Sequence, residues 1–129
     1  MAEGFPATTG DIFTAADYNG LVAFTVGAAQ TNDYTAVIAD AYQVLEIMNK
    51  GTAIAYKIPT NASVAFPIGT VLNILNIGAG LCTISAVTSG TTTVLSGGAV
   101  AAQPTLAQYK SAACIKTGTD TWYVVGAIG

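Results

Sequence analysis

The chain has no histidine and no arginine, and its charge rests on four lysines and seven carboxylates among 129 residues, a net of −3. Without histidine there is no Ser-His-Asp or Cys-His nucleophile system and no imidazole metal ligand. The one side chain that ordinarily titrates between about pH 5 and 8 is missing as well. No catalytic, metal-binding or cofactor-binding residue is assigned, and the chain is expected to be no enzyme and to carry no cofactor. Four scattered lysines cannot neutralise a run of phosphates, and the arginine forks that read base edges are absent, so no nucleic-acid partner is expected. Cysteine is nearly absent too: Cys82 and Cys114 stand outside any CxxC and are expected to be buried free thiols. No uninterrupted apolar run approaches the roughly 18–20 residues of a membrane helix. The opening "MAEGFPATTG" lacks the basic and apolar regions of a signal peptide, so synthesis and assembly in the cytosol are expected, with no membrane partner. In that setting the "NAS" acceptor pattern at Asn61 carries no glycosylation meaning.

What the chain has instead is apolar surface. Residues are 52% apolar and only 9% charged, against about 25% charged in ordinary globular chains. A monomer of this size exposes on the order of 6,300 Å², thinly covered by so few charges. Much of that surface is therefore expected to lie against other chains.

The chain divides at about residue 34. Residues 1–34 read as an N-terminal arm with a short helix from about 15 to 25, where Thr14 is the N-cap, Asp17 completes a capping-box variant, and Phe13 and Tyr18 flank the cap. "GAAQTND" follows as a joint. Residues 35–129 read as a β module of about eight short strands: "TAVIA", "YQVLEIM", "AIAYKI", "TVLNILNI", "LCTISAV", "TTVL", "SAACIK" and "TWYVVGAI". The fold class expected is all-β, an antiparallel sandwich or jelly-roll-like module. Gly-Thr recurs at 51, 69, 90 and 118, each time leading into a strand, with glycine supplying a special backbone angle. The spacing is too uneven for a solenoid, and "GAG" at 78 reads as a tight hairpin.

Three of these strands are apolar on both sides. In "VLNILNI", Val71, Leu75 and Ile77 oppose Leu72 and Ile74; in "YQVLEIM", Leu45 and Ile47 oppose Val44 and Met48; in "TWYVVGAI", Trp122 and Val124 oppose Tyr123 and Val125. One face is expected to pack the subunit core and the other to pack against symmetry mates, through Leu45, Ile47, Leu72, Ile74 and Tyr123. Asn73 and Asn76 would need partners if buried. The carboxylate pairings worth weighing for glycoside hydrolysis are Asp40 with Glu46 or Asp120. The simpler reading makes Asp40 and Asp120 turn residues and Glu46 a solvated or interface side chain.

The segment "DAYQVLEIMNKGTAIAYKIPTNASVAFPIGTVLNILNIGAGLCTISA", with the closing "IKTGTDTWYVVGAIG", resembles a module of tailed-bacteriophage virion proteins, both fibres and small head-associated proteins. "TGDIFTAADYNGL" likewise resembles the entry by which phage structural proteins attach to the virion. The resemblance implies a β-rich, commonly trimeric module without catalytic residues. It leads to the expectation of a capsid decoration, or cement, protein on the outer capsid surface of the virion, partnered by the major capsid protein or another virion protein. Its arm would dock through Phe5, Ile12, Phe13, Tyr18 and Leu21. The alternatives are a tail-associated fibre or receptor-binding tip contacting host glycan, and a self-assembling adhesin subunit without any phage.

Overall fold

The computed structural model describes residues 15, 24–96 and 104–128. Phe5, Ile12, Phe13, Tyr18 and Leu21 lie outside the described residues, as does nearly all of the expected helix. Ten strands and one 3₁₀ turn build two facing sheets, so the fold is mostly β. In chain order the strands are β1 (Thr25–Gln30), β2 (Tyr34–Thr35), β3 (Val44–Met48), β4 (Ile54–Ile58), β5 (Val71–Asn76), β6 (Cys82–Ala86), β7 (Thr93–Ser96), β8 (Thr105–Leu106), β9 (Lys110–Gly118) and β10 (Thr121–Gly126). The larger sheet runs β1-β3-β5-β9-β10-β7 and the smaller β2-β4-β6-β8.

From β1 to β8 the chain alternates between the sheets at every step. Consecutive strands of this run therefore never pair, and each of β1 to β4 lies beside the strand two places on. That geometry makes β1·β3, β3·β5, β2·β4 and β4·β6 parallel. The antiparallel sandwich expected from the sequence is thus corrected: the first half is a parallel coil of three stacked turns. Antiparallel pairing enters only with β5·β9, β9·β10 and β6·β8, while β7 returns parallel to β10 at the far edge. Uneven Gly-Thr spacing spoke against a solenoid, yet the coils stack regardless, because the extra length of the second turn is spent in the loop 59–70 outside the sheets.

The corners show the stacking most directly. Asn49 N donates to Gln30 O at 2.8 Å, and Ile77 N donates to Met48 O at 2.9 Å, one turn above the other. The "GAG" segment is therefore no hairpin; it is the corner where the chain leaves one sheet for the other. Its glycines answer to crowding. A Cβ at Gly78 would overlap the backbone of Lys50, and one at Gly80 the carbonyl of Thr52, the corner below. Asn76 is fully buried there and satisfied on three sides: its Nδ2 donates to Gly80 O (2.9 Å) and Leu106 O (2.8 Å), and its Oδ1 accepts from Gly78 N (3.1 Å). Of the four Gly-Thr glycines, Gly69 alone takes the left-handed backbone, with φ +95°.

Two expected elements change character. Thr25, the expected helix end, opens β1, and the supposed joint at 27–30 is sheet edge; pairing with β3 outweighs the weak strand propensity of "GAAQ". "TAVIA" yields only the end of β2, after which Ile38–Ala41 form the 3₁₀ turn. The core lies between the sheets. Met48, Leu72, Ile74, Cys114, Trp122 and Val124 of the larger sheet meet Ile54, Tyr56, Ile58, Cys82, Ile84 and Leu106 of the smaller. Each large apolar side chain so buried contributes about 1.5–3 kcal/mol.

Candidate functional site

Register decides which side of the larger sheet is core. Leu45 pairs with Asn73 and Ile47 with Leu75, while Tyr123 pairs with Ile115 and Val125 with Ala113. All of these share one side, away from the smaller sheet. Outward positions on β3, β5, β9 and β10 are thus Leu45, Ile47, Val71, Asn73, Leu75, Ser111, Ala113, Ile115, Thr117, Tyr123 and Val125, without one charge among them. Val71, Tyr123 and Val125 are 40%, 45% and 49% exposed, and Val26 at the β1 edge is exposed too. A shallow groove of about 290 Å³ crosses this side, lined by Leu45, Asn73, Ser111, Ala113 and Val125 among others.

The residues expected at an oligomer interface therefore split. Leu72 (1% exposed) and Ile74 are consumed by the chain's own core and have no surface left for a second chain. Leu45 and Tyr123 lie on the outward side, where Ile47 is buried. Val71, Leu75, Ile115 and Val125 belong to the same face, beyond the residues expected from alternation. Alternation had separated Val71 and Leu75 from Leu72 and Ile74; nothing in it says which set faces inward.

Two polar clusters are buried inside. The first joins Asp40, Glu46, Tyr34 and Tyr56. Tyr34 Oη donates to Asp40 Oδ2 at 2.7 Å, and Val37 N donates to the same oxygen at 2.9 Å, so Asp40 does bond its own turn. Glu46 is not solvated: it is 4% exposed, on the inner side of β3. Burial first, then its hydrogen bond to Asp40 and that group's charge, push the Glu46 carboxyl up to about 7. Burial also raises the Tyr34 and Tyr56 phenols, and Tyr56 Oη has no hydrogen-bond partner among the described residues.

The second cluster surrounds Lys116. Its Nζ donates to Asn61 Oδ1 at 2.7 Å and to Phe66 O at 2.6 Å, and stands 5.9 Å from the Trp122 ring centroid. Phe66 meets Trp122 edge-on at 5.5 Å. Asp120 Oδ1 accepts from Asn61 N (2.8 Å) and Thr92 Oγ1 (3.1 Å), tying three loops together. Sequence reading passed over Lys116, although its phase with Ala112 and Cys114 marks it as a charge on an apolar side. Cys82 and Cys114 are buried and unbridged, and burial raises both thiols, Cys82 to about 11. Among the described residues no group of metal-ligating side chains gathers, and no helix is long and apolar enough to cross a membrane. No family profile, curated protein or solved structure matches this chain.

Proposed function

We propose that this chain is a structural assembly protein of a bacteriophage virion, a capsid decoration protein that forms a homotrimer through the outward face of its larger sheet. One observation carries the assembly reading: an uncharged, largely apolar sheet face containing Val71, Leu75, Ile115, Tyr123 and Val125, three of them among the exposed large apolar residues. Contiguous apolar surface of this kind marks interaction sites, and a second copy meets it without desolvating a charge. The virion assignment is supported by the sequence resemblance alone, on the segments 40–86 and 115–129 and the entry at 9–21. In that role the part of the arm that precedes β1 docks on the shell. Contacts across neighbouring capsid subunits then add to the free energy that opening the shell must overcome.

Light scattering on the purified protein at micromolar concentration tests the assembly, with a trimer expected and a monodisperse 13.0 kDa species against it. Mixing with undecorated capsids tests the role: the whole chain binds and a form lacking residues 1–23 stays trimeric but does not. A second reading, a receptor-binding tip, is favoured by Tyr109, which projects at 75% exposure from the turn before β9. Adhesion to host cells without capsid binding would select it.

A further inference from the structure

The surroundings of Lys116 are those of a reactive amine. Its Nζ is buried against Phe66 and Trp122, held by the Phe66 carbonyl, and placed 2.7 Å from the side-chain oxygen of Asn61. The contact sets the amine beside the Asn61 amide group, and the fold already holds the two together. Asn61 cannot drift away. Its backbone N–H is fixed by Asp120, which also receives Thr92. Around it the chain is pinned to β9 by Gly69 N on Lys116 O (2.8 Å) and Lys116 N on Thr70 O (2.9 Å).

We infer that Lys116 and Asn61 form an intramolecular isopeptide bond.

In that reaction the neutral Lys116 amine attacks Cγ of Asn61 and a new Nζ–Cγ bond forms. The bond from Cγ to the amide nitrogen breaks. One proton passes from Nζ to the departing nitrogen, which exits as ammonia. No oxidant or reductant is needed, since one amide replaces another. Burial depresses the Lys116 pKa, with Asp120 pulling the other way, which favours the neutral amine that attack requires. The product would lock the loop between β4 and β5 onto β9 covalently, in a chain whose two thiols form no bridge.

Intact mass spectrometry of the denatured full chain decides the matter. The expected mass is lower than that of the sequence by one ammonia, about 17 Da. A trypsin digest should then leave Lys116 uncut and yield a branched peptide joining residues 58–110 to 111–129. The full sequence mass with free cleavage at Lys116 overturns the proposal. So does a mass loss without the branched peptide, which would indicate ring closure at an asparagine instead. Asn61→Ala should abolish the ammonia loss while circular dichroism shows the β fold retained; a loss that persists in that variant overturns the assignment of Asn61. Should the variant fail to fold, the wild-type digest alone still decides whether the bond exists.

Discussion

The two sides of the larger sheet are written in nearly the same alphabet and have opposite fates. Leu72, Ile74, Trp122 and Val124 are shut between the sheets, while their sequence neighbours Val71, Tyr123 and Val125 remain 40–49% exposed. Hydrophobicity does not separate the sets. The inner side differs in carrying the polar groups that need a dry, pre-arranged setting, namely Glu46, Asn76 and Lys116, each buried with named partners. The outward side has no charge at all. An apolar residue can thus lie on either side of this sheet, whereas a buried charge is tolerated only where the fold supplies its partners.

The most severe test of that contrast is a charge placed on adjacent residues. Leu72→Asp should prevent folding or cost on the order of 5 kcal/mol, because an unpaired carboxylate would sit between the sheets. Val71→Asp, one residue away, should leave the unfolding free energy of the isolated subunit within about 0.5 kcal/mol of wild type. Urea denaturation compares the two, and equal losses would break the distinction between the faces.

Trp122→Ala comes next, removing the largest inner side chain and the ring beside Phe66 and Lys116, at a cost of about 3–5 kcal/mol in the same measurement. A smaller and pH-dependent effect belongs to Glu46. Its folded pKa of about 7 lies above the ordinary 4.5, so the native state holds a proton that the unfolded chain releases between those values. The stability this contributes is fully present below about pH 4.5, falls as pH rises to about 7, and is flat beyond. Glu46→Gln should flatten that decline and leave the variant more stable than wild type at pH 8 by roughly 1–3 kcal/mol, as read from denaturation across pH. A wild-type stability that climbs from pH 4.5 to 7 by the same route would contradict the buried acid pair. The smallest effect on folding is expected at the outward face: Val125→Asp with Tyr123→Ser should hold subunit stability within about 1 kcal/mol while dispersing the proposed trimer in sedimentation.

Much of the strand content was legible because alternation is local. The segments around Val44–Met48, Ile54–Ile58, Val71–Asn76 and Thr121–Gly126 announce themselves by β-branched and aromatic residues in a period of two. β1 was not legible, since Gly27, Ala28 and Ala29 carry almost no strand preference and the strand is held to β3 through Thr25, Val26, Ala29 and Gln30. Parallel pairing was equally hidden. It depends on which strand lies beside which, and a corner such as 77–81 looks like a hairpin until its stacking on Lys50 and Thr52 is seen. Lys116 was half legible: its phase exposes it as a misplaced charge, but its partner Asn61 lies 55 residues earlier in the chain.

By itself the sequence determined that the chain is strand-rich and that several strands are apolar on both sides; it also kept conventional imidazole chemistry out of reach, since these follow from composition and from the period of each strand. Only the tertiary structure decided which apolar side is core, that the strands stack as a parallel coil, and that Lys116 meets Asn61. Those outcomes rest on contacts between distant residues, and a two-residue period is symmetric: it sorts side chains into two sets without saying which one the second sheet will cover.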